Sequence, residues 1–89
     1  MNYHYPIDDT WTKEEIIYVV QFFSLIEQAY ERKVERKVII AAYRKFKQVV
    51  PSKSEEKKLF ATFKQASGYS SFHVLKYAKI TEDHFIKMK

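Results

Sequence analysis

Residues 51–79 read PSKSEEKKLFATFKQASGYSSFHVLKYAK. This stretch holds the chain's one glycine, one of its two prolines and two helix-start signals. Pro51 has no N–H to donate and keeps Val50 out of the helical region, so it ends whatever helix precedes it. Ser52-Lys53-Ser54-Glu55 has the spacing of a capping box, with a serine oxygen for the N3 amide and a glutamate to return the bond. The helix that follows is expected over 53–67, with Leu59, Phe60, Phe63 and Ala66 facing inward. Gly68 is the natural left-handed stop. Ser70 or Ser71 then caps a fourth helix, over 70–79, containing Phe72, Leu75 and Ala78.

Upstream, the same logic gives two more helices. Trp11-Thr12-Lys13-Glu14-Glu15-Ile16 is a capping box flanked by the two positions of a hydrophobic staple. Glu14 and Glu15 also suit the positive end of the helix dipole. The first helix is expected over 13–31. Ile16, Val19, Val20, Phe23, Ile26 and Tyr30 form one stripe at helical spacing. Tyr18, Phe22, Leu25 and Ala29 form a second beside it. So wide an apolar arc predicts a central helix touched from two sides. The second stripe is alternatively a surface for another copy of the protein. A second helix, over 35–50, has no clear start signal but carries a clean stripe of Ile39, Ala42, Tyr43, Phe46, Val49 and Val50. Residues 1–11 read as an extended lead-in, broken by Pro6 and the Asp8–Asp9 pair. Residues 80–89 are ambiguous. Thr81-Glu82-Asp83 can start a turn and residues 85–89 alternate like a strand, but a loosely held tail is expected. The fold class is therefore all-α, a compact small bundle of four helices in a single domain spanning 1–89, with helix one central.

The chain has 89 residues, so its core is small and leaves little room for a deep cavity. A hydrophobic content of 46% and an aromatic content of 17% argue against disorder. With no cysteine there is neither a disulfide framework nor a thiolate metal site. A cytoplasmic location is expected: the N-terminus lacks a signal-peptide layout, and the longest apolar region, 16–26, falls well short of the ~20 residues a membrane span needs.

The net charge of +5 is unevenly spread. Residues 1–31 carry one Lys and six acids, net −5; residues 32–58 carry ten Lys/Arg and three acids, net +7; residues 59–89 carry five Lys and two acids, net +3. The simpler reading is that the acidic first third docks on the basic middle. The alternative is a basic face for an anionic partner.

No arrangement of residues specifies a reaction. His4, His73 and His84 lie on separate elements, and none has a partner at ligand spacing within an expected helix, so no metal is expected. The adjacent carboxylates 8/9, 14/15, 55/56 and 82/83 diverge by about 100° on a helix and make no acid–base dyad. Tyr43 and Lys47 have a Tyr-x-x-x-Lys spacing, but a chain with one glycine has no dinucleotide turn and no phosphate-cradling loop. These features point away from an enzyme and from any cofactor. The main competing function is nucleic-acid binding. Residues 60–79 have the order helix, glycine, apolar residue, serines, helix, which resembles a degenerate helix-turn-helix. It departs from that pattern at Lys64 and Ser67. Its reading helix offers His73, Lys76 and Lys79, and no Arg, Asn or Gln for bidentate base contacts. A second basic face, on helix two, offers Lys37, Arg44, Lys45 and Lys47 as phosphate contacts.

Several short pieces of the chain together carry a resemblance. They are Tyr5-Pro6 with Trp11-Thr12, Ala42-Tyr43-Arg44 with Phe46-Lys47, Pro51-Ser52-Lys53 with Glu55-Glu56-Lys57, and Ala66-Ser67-Gly68-Tyr69-Ser70-Ser71. In combination they resemble the YktA-like proteins, a small uncharacterised family of Bacillus-type bacteria. The resemblance spans nearly the whole chain. It implies a small all-helical cytosolic protein and brings no activity, cofactor or catalytic residue with it. The segment 32–37 is more basic than the resemblance leads one to expect. The expected role is a non-enzymatic protein-interaction or accessory module with an unidentified protein partner or self-association, no membrane and no metal, and with nucleic-acid binding as the alternative.

Overall fold

Local signals start and stop each helix. In a computed structural model, which describes residues 5–89, the element order is α1 (Lys13–Glu31), β1 (Val34–Glu35), α2 (Arg36–Val49), α3 (Lys53–Ser67), α4 (Ser71–Ile80) and β2 (Phe85–Ile86). The Thr12 hydroxyl accepts from the Glu15 amide at 3.1 Å, and the Glu15 carboxylate accepts from the Thr12 amide at 2.8 Å. At α3 half of the expected box forms: Ser52 Oγ accepts from the Glu55 amide at 3.3 Å. Gly68 ends α3 with φ +83°, a left-handed conformation that a side chain disfavours. Ser70, rather than Ser71, caps α4.

The four helices form a small all-α bundle around one aromatic cluster. Phe22 and Phe23 are adjacent on α1 and both fully buried. Their side chains diverge by about 100°, so α1 has to be covered on two sides. Phe22 meets Phe46 of α2 at 4.7 Å between ring centroids and Phe60 of α3 at 5.8 Å. Phe23 meets Phe63 of α3 at 4.6 Å. The second apolar stripe of α1 is thus covered within the chain at Phe22 and Ala29. The lead-in closes one side: Tyr5 stacks near Phe23, and its hydroxyl donates to Glu27. Asp8 shapes a turn there by accepting from the Thr10 amide and hydroxyl, which holds its carboxyl below the usual range.

Three expectations are corrected, the simplest being Ala66, which was expected to face inward from α3 and is exposed. Residues 80–89 are not a loosely held tail. Val34 pairs with Ile86 and Glu35 with Phe85 in an antiparallel two-stranded sheet. The Arg36 amide donates to His84 O at 2.8 Å, and the Met88 amide donates to Ala29 O at 2.7 Å. Ile86 is fully buried. The strand-like alternation of 85–89 prevails because β1 supplies hydrogen bonds and the end of α1 supplies an apolar seat. β1 also explains why helix two lacks a capping signal: its chain arrives as a strand, and Glu35 makes no side-chain cap. The third correction is at α4. Val74, Leu75 and Ala78 face the core, whereas Phe72 is 60% exposed.

Candidate interaction surface

The basic residues of α2 divide into two groups. Lys37 and Arg44 lie on the helix face opposite Ile39 and Phe46 and are exposed, with no hydrogen bond or ion pair among the described residues. Lys45 is close to that face, and its Nζ lies 5.4 Å from the Tyr18 ring centroid. Tyr18 in turn donates to Glu14 at 3.0 Å, which pushes the phenol's pKa up. Lys47 turns away. Its Nζ lies 2.5 Å from Glu56 Oε1 and 3.2 Å from Pro51 O. Tyr43 donates to the other oxygen of Glu56 at 3.0 Å. Tyr43 and Lys47 therefore join α2 to α3 through the buried Glu56. An uncompensated carboxylate in that position would be costly, and these two donors neutralise and hydrogen-bond it.

This arrangement leads to a titration prediction. Burial and the Glu56 hydrogen bond push Tyr43 up to about 12, and burial with Glu27 does the same for Tyr5. The folded pKa lies above the ordinary value of 10, so both contributions to stability are complete below pH 10 and are lost as pH rises towards 12. In an ultraviolet tyrosinate titration, Tyr5 and Tyr43 should be the source of late ionisation steps that accompany unfolding. Tyr43→Phe should remove one of the late steps. A single step near the ordinary value for every tyrosine would contradict the prediction.

The acidic first third does dock on the basic middle in space, since α1 and α2 lie side by side, but the contact is apolar. Among the described residues no ion pair joins Glu14 or Glu15 to α2. Between the two helices runs an open groove of about 540 Å³ lined by Val20, Gln21, Ser24, Leu25, Val38, Ala41, Ala42 and Lys45. Val38 is 43% exposed, and Ile17, one turn from Val20 and Gln21, is 45% exposed. Sequence reasoning did not find this groove. Val20 and Leu25 had been placed on core stripes, and Val38 and Ala41 fall outside the Ile39–Tyr43–Phe46 stripe. Five consecutive apolar residues over 38–42, more than one buried face needs, are the available signal.

His73, Lys76 and Lys79 come together on the exposed face of α4, beside Phe72 and Ile80. Lys79 Nζ is 6.0 Å from the Tyr43 ring centroid. This face is separate from the α1–α2 groove. His84 is exposed near β2, and His4 lies outside the described residues. Among the described residues no group of three or more His, Asp or Glu is placed to hold a metal ion. Among them, too, no helix is long and apolar enough to cross a membrane.

Comparison with known proteins gives one consistent result. Over residues 2–87 the chain matches the uncharacterised protein family UPF0223. It is 64% identical over 88 residues to a UPF0223 protein of Oceanobacillus iheyensis, covering 99% of this chain and 100% of the relative. It is 45% identical over 87 residues to one from Streptococcus thermophilus, covering 98% and 94%, so such relatives extend beyond Bacillus-type bacteria. It is 43% identical over 88 residues to the UPF0223 protein YktA of Bacillus subtilis, covering 99% and 100%. With a match that runs almost from end to end in family and relatives alike, the chain belongs to the UPF0223 family.

Proposed function

We propose that this chain is a non-enzymatic cytoplasmic interaction module that engages a protein partner through the α1–α2 groove. The observation that carries this reading is the groove itself: an open apolar trough between two helices, with Ile17 and Val38 half exposed along it. Small side chains at Ser24 and Ala41 let another helix approach closely, in the manner of helix-in-groove recognition. Its polar groups, Gln21, Ser24 and Lys45, suit orientation of a partner rather than bond-making chemistry. The test is a tagged pull-down from native cytosol with nuclease-treated and untreated halves, run for the wild type and for Val38→Asp. A nuclease-resistant protein partner that Val38→Asp releases is the expected result. Retention unaffected by Val38→Asp would overturn the reading.

The face of α4 supports a second reading, nucleic-acid binding. An exposed aromatic ring, Phe72, stands among His73, Lys76 and Lys79, an arrangement that pairs base stacking with phosphate contacts. Retention on DNA or RNA should then fall by about one log unit per log of salt for each phosphate contacted, and Lys76→Glu should weaken it. For the basic face of α2, Arg44→Glu should do likewise. If neither charge reversal changes retention, this reading is lost.

A further inference from the structure

We infer that the outer faces of α4 and α2 form one site for single-stranded nucleic acid, with Phe72 stacked on an unpaired base and Lys76, Lys79 and Arg44 on the phosphates beside it. The inference rests on the nucleic-acid reading above and adds the form of the ligand and its path. The argument begins with where the acids are. Between residues 36 and 81 the chain has eleven Lys/Arg and two acids, Glu55 and Glu56. Glu56 is buried, and Lys47 and Tyr43 hold its two oxygens. Glu55 lines a depression with Asp8, Asp9 and Trp11 of the lead-in. α4 itself carries no acid. Both acids of this segment are thus placed away from the outer faces of α2 and α4, and the charge left on those faces is positive. Among the described residues, Lys37, Arg44, Lys76 and Lys79 are exposed and make no ion pair.

The two helices meet, so their cations belong to one surface. Arg36 Nε donates to Ala78 O at 2.6 Å, and Lys79 Nζ lies 6.0 Å from the Tyr43 ring centroid. Arg44 follows Tyr43 and is turned about 100° further round α2, into solvent. On α4, Phe72, Lys76 and Ile80 are spaced four apart, so each is displaced about 40° from the last, and Lys79 falls about 20° from Phe72. Phe72 is 60% exposed, with the His73 ring 5.7 Å away and tilted 63° to it. The path from Phe72 to Lys79 is about 10 Å along the helix, and it continues past Tyr43 to Arg44. Asp83, which accepts from Tyr77 at 3.3 Å, puts negative charge towards β2, so a polyanion leaves α4 by way of α2.

The chemistry of this face selects a single strand. α4 has no Arg, Asn or Gln for base edges, so a duplex groove offers it nothing to read. A ring driven into a duplex must first unstack base pairs, whereas an unpaired base presents its face freely. A lipid surface fits less well. Lys76 stands between Phe72 and Ile80 on one strip, so these apolar side chains do not enter a bilayer without drawing an ammonium in with them. The contacts are to base faces and phosphates, which ribose and deoxyribose strands share, so the two should bind within about threefold of each other.

Fluorescence anisotropy of the purified chain tests this across a salt series, with labelled oligothymidylate and oligouridylate of about 12 nucleotides and a duplex of the same length. The single strands should bind at least about fivefold more tightly than the duplex. Phe72→Ala should weaken them by about 5- to 150-fold, leave duplex binding as it was, and keep the slope of log affinity against log salt. Phe72→Trp should bind at least as well as wild type. Lys76→Gln should reduce the salt slope by about 0.7, one phosphate's share. Phe72 and Lys76 are both exposed, so the variants should keep the wild-type circular dichroism. A duplex bound as tightly as the single strands, or single-strand affinity indifferent to Phe72→Ala, overturns the inference and leaves the broader nucleic-acid reading standing. No binding of either form at a concentration on the order of 100 μM overturns both. Polyglutamate or phosphatidylserine vesicles bound as tightly as the single strands would also overturn it, by showing a surface for any anion.

Discussion

Phe23→Ala should lower the melting temperature by on the order of 15–30 °C and leave a substantial unfolded population at room temperature. Phe23 is fully buried, and its ring lies within 6.4 Å, centroid to centroid, of Tyr5, Phe22, Phe46, Phe60 and Phe63. Those five rings come from the lead-in, α1, α2 and α3, so the site cannot collapse without moving most of the bundle. Truncating a buried phenylalanine costs about 3–5 kcal/mol. A domain of this size has only about 4–13 kcal/mol to lose, by the usual per-residue range. Phe23→Leu keeps much of the volume and should cost far less. Thermal melts followed by far-ultraviolet circular dichroism check both, and a Phe23→Ala melt within a few degrees of wild type, on the order of one kcal/mol, would show that the ring cluster is not the centre of stability.

Deleting residues 82–89 should destabilise the protein by at least about 2–5 kcal/mol, with Ile86→Ala accounting for much of that loss. A frayed tail would cost almost nothing, typically within ±0.5 kcal/mol. The difference arises from Ile86, which is fully buried, and from Val34 opposite it, which is 3% exposed. Removing the tail uncovers Val34 and strips Ala29 O of the Met88 amide and Arg36 of its bond to His84 O. It also leaves the Lys33 ammonium, now 4.4 Å from the Phe85 ring centroid, without its aromatic partner. Denaturant unfolding of the truncated chain and of Ile86→Ala measures both, and a midpoint equal to wild type would mean that β2 contributes nothing in solution. The tail and the aromatic cluster lie far enough apart along α1 that the two losses should add.

The positions of the four helices were legible from short-range chemistry. Thr12 and Glu15 cap each other, Pro51 removes a donor, Ser52 and Ser70 accept from N3 amides, and Gly68 takes a left-handed conformation. Each of these acts within a few residues, so the chain carries the instruction locally. The central place of α1 was equally readable, because Phe22 and Phe23 point in different directions and both must leave water. The family was readable too, from pieces scattered between Tyr5 and Ser71.

The tertiary structure decided what depends on neighbours distant in sequence. A strand of two residues has no signal of its own, so residues 85–86 become β2 only because residues 34–35 meet them across the end of α1. Lys47 was a candidate surface contact on the helical wheel, yet the buried carboxylate of Glu56, nine residues on, draws it inward. Phe72 lies at core spacing on α4, yet Val74 takes the inward direction because that is where α1 and α2 present a surface. The groove appeared for the same reason: Val38 and Ala41 are apolar in the sequence, but only the packing of α1 beside α2 shows that no part of the described chain covers them. The helices were set by contacts a turn apart. The tail, the ion pair and the open apolar face were set by contacts across the fold, where the energy of a residue belongs jointly to partners that its own sequence neighbourhood does not name.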